Sequence, residues 1–206
     1  MLSEAEIIKG CKEFDNTAQK ALYKIYAGKM YSVCCQYISD KDEAKDLLQD
    51  SFLKIYTNFN KYRGDGSLAG WIRRIVVNTS LSYLKKKKPH LFENIEHVSK
   101  TGQSEEDLLT EDTIKYSEYK EEDFSDTYNF TLAELFEAIN SLPEKLKLVF
   151  NLYAIEKYSH QEISQTLEIS IENSRTRLMR ARISLQKYLN QIAEKKPSVQ
   201  NTFMSK

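Results

Sequence analysis

The sequence predicts an all-α protein: two small helical domains joined by an acidic flexible linker, the C-terminal domain a helix-turn-helix. Three observations predict it. Six glycines and three prolines in 206 residues are too few for a sheet-rich fold that turns about every ten residues. Apolar residues recur at three- and four-residue spacing behind Ser or Asp caps in both halves of the chain. Charge is segregated although the formal net charge is zero. Arg73, Arg74, Lys85, Lys86, Lys87 and Lys88 crowd one stretch, Arg175, Arg177, Arg180, Arg182 and Lys187 another, and acids outnumber bases from Glu93 to Asp126. Two basic modules around an acidic connector point to nucleic acid as a partner.

The N-terminal domain is expected over 1–89. Ser3 with Glu6 makes a capping box ahead of Ile7 and Ile8. Asp15 caps a helix carrying Ala18, Leu22, Ile25 and Tyr26 inward. Ser39 or Asp40 caps the next, whose buried stripe reads Ala44, Leu47, Leu48, Ser51, Phe52 and Ile55. After a polar loop from Asn58 to Gly66, Ser67 caps a long helix with Leu68, Trp71, Ile72, Ile75, Thr79 and Tyr83 inward, ended by Pro89. From 90 to 129 periodicity fades into acidic clusters and Gly102-Gln103-Ser104, the signature of a solvated linker.

The C-terminal domain is expected over 130–192, with a loose polar tail at 193–206. Leu132, Leu135, Phe136 and Ile139 form one apolar stripe. Ser141-Leu142-Pro143-Glu144 reads as a capping box opening a helix with Leu146, Val149, Phe150 and Tyr153 inward. Ser159-His160-Gln161-Glu162 is another, starting a short helix that buries Ile163 and Leu167. Glu168-Ile169-Ser170 turns the chain into a basic helix from Ile171 to about Ile192.

Several function classes are disfavoured. No apolar run approaches the ~20 residues of a membrane span, and Met1 to Glu6 lacks the layout of a secretory signal; a cytoplasmic protein is the expectation. Cys11, Cys34 and Cys35 suggest buried inert thiols, and with His90, His97 and His160 they form no metal-ligand spacing. No metal and no cofactor are expected. A helical nuclease using Asp42, Asp46 and Asp50 lacks a water-activating partner beside them, so the protein is not read as an enzyme.

A short helix, a three-residue turn and a longer basic helix make the helix-turn-helix pattern, whose second helix enters the major groove. Glu172, Asn173, Arg175, Thr176 and Arg180 are placed for base edges, while Arg177 and Arg182 are placed for phosphates. A solvated basic face is the alternative, and three capped helices in succession argue against it. In the N-terminal domain, Asp42, Asp46, Gln49, Asp50 and Leu53 line the outside of the third helix. Asp46 and Asp50 stack four apart, a face suited to a basic partner helix; an ordinary solvated face is equally open. On the long helix, Arg74, Asn78, Leu81 and Lys85 lie opposite Trp71, with Arg73 beside them. The loop before it mixes aromatics and cations, including Lys61, Tyr62 and Arg63, and such a loop can surround an extruded base.

Three of these stretches, in this order, carry a family resemblance. Ser159 to Ser164 with Arg175 to Arg182 resembles the promoter-reading C-terminal domain of bacterial sigma factors. Asp42 to Leu53 resembles their polymerase-binding helix, and Trp71 to Asn78 the helix that handles the other promoter element. The two-domain layout resembles the extracytoplasmic-function class of the sigma-seventy-type family. The resemblance implies a non-enzymatic RNA polymerase subunit that directs initiation by recognising the −10 and −35 elements. It implies that Asp46, Gln49, Asp50 and Leu53 meet the clamp coiled coil of the polymerase largest subunit. Lys61, Tyr62, Arg63, Arg73, Arg74, Asn78 and Lys85 would serve the −10 element, and Glu172, Asn173, Arg175, Thr176, Arg177, Arg180 and Arg182 the upstream element. The polymerase flap, promoter DNA and an anti-sigma protein, often membrane-anchored, are the further partners implied, and the linker would run through the polymerase toward the RNA exit path. The chain departs from the family at Glu168, where Gly is common in the turn, and at Glu172 and Ser174. A left-handed Glu168 would cost roughly 1 kcal/mol against Gly. A lone operator-binding regulator is the main rival reading; it gives no task to the acidic helix.

Overall fold

The computed structural model describes residues 2–93 and 130–195. The expected linker from 94 to 129 and the expected tail from 196 onward lie outside the described residues. Contacts divide the chain into two units, Met1–Leu91 and Phe92–Lys206, and every regular element among the described residues is helical.

The first unit holds α1 (Glu4–Lys12), α2 (Asn16–Tyr37), α3 (Lys41–Thr57) and α4 (Leu68–Lys87). Its helix starts follow the caps read from sequence. Ser3 and Glu6 form the full capping box, Asp15 accepts from the Thr17 and Ala18 amides, Asp40 from Asp42 and Glu43, and Ser67 from Gly70. The turn between α1 and α2 is tight enough to dictate residue type. A Cβ on Gly10 would fall 2.5 Å from the Ala18 Cβ, so only glycine admits that approach. Phe14 closes the turn at φ 58°, and the next amide, Asp15, donates to the Gly10 carbonyl at 2.8 Å.

In α3 the buried set is the predicted stripe, Ala44, Leu47, Leu48, Ser51, Phe52 and Ile55. The Ser51 hydroxyl donates to the Leu47 carbonyl at 2.7 Å, so its burial leaves no orphan. Three expectations for this unit change. Ile25 is exposed on α2, where Met30, Val33 and Cys34 continue the core instead. α4 packs against both α2 and α3, and its inner face is wider than one stripe. Ile72, Val76, Val77, Ser80, Leu81 and Leu84 are buried there, while Trp71, Ile75 and Tyr83 are half-buried. Leu81, expected outward, is therefore core.

The second unit holds α5 (Leu132–Asn140), α6 (Glu144–Phe150), α7 (His160–Leu167) and α8 (Ile171–Lys195). Leu142, Leu146 and Ala181 form a core with Phe150 and Leu185, and Ile163, Leu167, Ile169 and Leu178 are buried around the α7–α8 turn. Capping boxes open α5 (Thr131 with Glu134) and α7 (Ser159 with Glu162). The box expected at Ser141 does not form. Ser141 ends α5 in the right-handed helical region, its hydroxyl donates back to the Ala138 carbonyl, and Pro143 stands at the start of α6 without a side-chain cap. A capping residue must be extended, and Ser141 is not. α6 continues into a π turn, Asn151–Ile155, marked by the Glu156 amide donating to the Asn151 carbonyl at 3.0 Å. Glu168 takes the left-handed conformation, φ 57° and ψ 37°.

Candidate nucleic-acid and partner interfaces

α3 presents its outer face without ambiguity. Asp46, Gln49 and Asp50 are exposed, and Leu53 is 63% exposed beside them. The neighbouring acids are engaged locally. Asp42 pairs with Lys45 at 2.8 Å. Glu43 accepts from Lys87 across the α3–α4 contact, and with the Tyr83 hydroxyl this holds its carboxyl below the usual range. The amides of Glu43 and Asp42 hold the Asp40 carboxyl low in the same way. The acids at the start of α3 are thus held in place locally, while Asp46 and Asp50 stand exposed on the face that carries Leu53.

On α4, Arg74, Asn78 and Lys85 are exposed on one face, and Arg73 is half-buried beside them. Lys87, part of the basic run, donates to Glu43 and stands 3.4 Å from the Tyr83 hydroxyl. Its charge therefore clasps α4 to α3.

The loop before α4 is more ordered than a polar loop. Phe59–Lys61 forms a 3-10 turn, and Phe59, Tyr62 and Trp71 make an aromatic triad with ring centroids 5.4–6.3 Å apart. Tyr62 is 7% exposed, and its hydroxyl donates to the Gly66 carbonyl at 2.7 Å. Tyr62 is thus corrected from a base-facing ring to the closure of the loop, since a ring packed on both neighbours cannot also stack a base. Lys61 and Arg63 remain exposed on either side.

At the start of α8, the Ser170 hydroxyl accepts from the Asn173 amide at 3.0 Å. Glu172, Arg175 and Arg182 are exposed, and Asn173, Thr176 and Arg180 are half-buried. Arg177 is the second correction. It is fully buried and donates to the backbone carbonyl of Glu93, within the same unit, so it offers nothing to a phosphate. Its position two residues after Arg175 turns it to the opposite side of the helix.

Three further residues, Ser174, His160 and Tyr153, come together at this end of the unit without having been expected at the site. Ser174 is fully buried and lies 2.9 Å from His160 Nδ1. The His160 ring stacks on Tyr153, centroids 4.7 Å apart and planes at 26°, and the Arg182 guanidinium lies 5.9 Å from the centre of that Tyr153 ring. The signal available was the polar Ser174 on an otherwise apolar inner position.

Among the described residues no helix is long and apolar enough to cross a membrane, and no cluster of His, Cys, Asp and Glu is grouped to hold a metal. Burial pushes the Cys11 thiol up to about 11 and the Cys34 thiol up to about 12, so both are neutral at ordinary pH; Cys35, expected to be buried with them, is half-buried instead.

Comparison with known proteins places two matches on these two units. Residues 22–90 match the sigma-70 region 2 family and residues 132–185 the sigma-70 region 4 family. The chain is 27% identical over 191 residues to the ECF RNA polymerase sigma factor SigW of Bacillus subtilis, covering 90% of this chain and 96% of that one. It is 26% identical over 190 residues to the ECF RNA polymerase sigma-E factor of Haemophilus influenzae, covering 88% and 92%. A solved structure, the sigma factor RpoE of Bartonella quintana with the anti-sigma factor NepR, aligns at 19% identity and a TM-score of 0.47 over 83% of this chain and 96% of that one.

Proposed function

The chain belongs to the sigma-70 family, in its extracytoplasmic-function class, and on that premise we propose how its exposed faces divide the work of promoter-directed initiation. The protein is a non-enzymatic specificity subunit that joins core RNA polymerase and directs it to promoter DNA. Residues 1–89 form the module for core binding and the −10 element, 130–192 the module for the −35 element, and 90–129 the connector.

Asp46, Gln49, Asp50 and Leu53 on α3 dock on the clamp coiled coil of the polymerase largest subunit. Charge complementarity there speeds and orients the encounter. Burying Leu53, which is 63% exposed, adds on the order of 1 kcal/mol. Arg74, Asn78 and Lys85 on α4, with Arg73, Lys61 and Arg63, hold the −10 element as it opens. Unstacking a base costs a few kcal/mol, and these contacts to the displaced strand offset it. On α8, Glu172, Asn173, Arg175, Thr176 and Arg180 face bases of the upstream element, and Arg182 meets its backbone. The stripe of α5, with Leu132 at 74% and Phe136 at 52% exposed, is the surface offered to the polymerase flap. An anti-sigma protein holds the subunit inactive by covering such faces, and the work takes place in the cytoplasm.

The observation that carries this reading is the sorting of α3: its inward stripe is wholly apolar or self-satisfied, and Asp46, Gln49 and Asp50 are exposed on the outside with one exposed leucine, Leu53. Run-off transcription with core polymerase and randomised promoter libraries tests it. The expected result is a set of transcripts sharing two recognition elements. Transcripts with no shared element, or none above core alone, would overturn it.

A further inference from the structure

His160 opens α7, and its ring is where three elements of the helix-turn-helix meet. Its Nδ1 lies 2.9 Å from the Oγ of fully buried Ser174 on α8. Its face stacks on Tyr153 in the π turn that ends α6. Arg182, on the same α8, holds its guanidinium 5.9 Å from the centre of that tyrosine ring, and Arg175 directly follows Ser174 in sequence. One imidazole thus ties the recognition helix to the helix before it, beside two arginines of that recognition helix.

We propose that His160 is a positioning residue for upstream-element recognition, and that it takes up a proton as the recognition helix engages a DNA phosphate. The proposal rests on the reading of α8 as the upstream-element helix.

The groups around the ring set the direction of the effect. From α8 come Arg175 and Arg182, and from the π turn the neutral Tyr153, with Glu156 and Lys157 following it. On its own helix, Glu162 is engaged by the Ser159 amide and hydroxyl. Burial first, then Arg175, then Arg182 hold the imidazole below its usual range and so keep it neutral. The N-terminus of α7 acts in the same sense. A phosphate held by Arg182, over the tyrosine ring on which His160 stacks, cancels part of that field, so the ring protonates more readily in the complex. Protonation leaves the tether to α8 intact, because a serine hydroxyl accepts as well as donates. It also adds a cation next to the DNA backbone. Linkage is reciprocal: if DNA raises the proton affinity of His160, protons raise the DNA affinity by the same factor.

The test uses holoenzyme assembled from the full chain and core polymerase, with a duplex that this holoenzyme isolates from a library randomised in the upstream element. Affinity is measured from about pH 8 to about pH 5.5, where an imidazole titrates, at fixed salt, for the wild type, His160→Asn and His160→Ala. Asparagine places an amide near the position of Nδ1, so it retains the bond to Ser174 without titrating. Relative to His160→Asn, the wild type is expected to gain affinity as pH falls, by up to about tenfold for each unit by which DNA raises the proton affinity. His160→Ala is expected to lose affinity at every pH. Identical pH profiles for the wild type and His160→Asn would overturn the proposal. If no duplex is enriched at any pH, the reading of α8 itself fails. An NMR titration of His160 in the wild-type chain, free and with the selected duplex, makes the same test without a variant. Its midpoint must rise on binding, and a midpoint that stays or falls overturns the proposal.

Discussion

Glu168→Gly should stabilise the second unit, and the structure supplies the magnitude. Glu168 sits at φ 57° and ψ 37°, where a residue with a Cβ carries roughly 1–2 kcal/mol of steric cost. Glycine removes that cost but gives the unfolded chain more freedom, returning roughly 0.5–1 kcal/mol. The side chain is exposed, so its removal opens no cavity. These ranges net to about 0–1.5 kcal/mol, with a central value of about 0.7 kcal/mol, a rise of about 3–6 °C in the midpoint of a domain this size. The full chain carries its own control, because its one tryptophan, Trp71, lies in the first unit. Far-UV circular dichroism should show the later loss of helix in the variant, with slower hydrogen exchange at Ile163, Leu167 and Leu178. The Trp71 fluorescence transition should not move. A lower midpoint in the second unit would refute the claim that the turn stores backbone strain.

Other perturbations test the rest of the architecture. Gly10→Ala forces a methyl to within 2.5 Å of the Ala18 Cβ and should cost about 1–3 kcal/mol, read as a lower denaturant midpoint by Trp71 fluorescence; adding Ala18→Gly should recover part of it. Tyr62→Phe keeps the aromatic triad but deletes the bond to the Gly66 carbonyl. It should cost about 0.5–1.5 kcal/mol and reduce permanganate-detected promoter opening without weakening association with core polymerase. Iodoacetamide at about pH 8, where only thiolates react, should label Cys35, which is half-buried. Cys11 and Cys34, whose thiols burial raises to about 11 and about 12, should stay unlabelled until the chain unfolds; mass spectrometry after digestion distinguishes these.

The helices were legible in sequence wherever one face alone is buried. The α3 stripe and the caps at Ser3, Asp15, Asp40, Ser67 and Ser159 stand as the pattern reads them. Periodicity lost its resolving power on α4, where Val76, Val77 and Leu81 joined a core that a single stripe does not contain. Local chemistry also misleads when a residue has two helices to serve. Ser141 satisfies the end of α5 and leaves α6 uncapped. At the interfaces, residue type was informative and direction was not. Arg177 and Tyr62 have the chemistry to meet DNA, yet tertiary contacts turn one inward and pack the other into the loop base. His160 was invisible for the converse reason, since its partners Tyr153 and Ser174 come together only through the packing of α7 on its neighbours.

If α3 docks this chain on RNA polymerase, the two should associate in the absence of DNA. Purified chain mixed with core polymerase lacking any other specificity subunit should co-elute as a stoichiometric complex. Asp46→Lys with Asp50→Lys should abolish that co-elution while leaving the Trp71 melting transition in place. A chain that elutes apart from core polymerase, or a double variant that binds as tightly as the wild type, would rule out docking through α3.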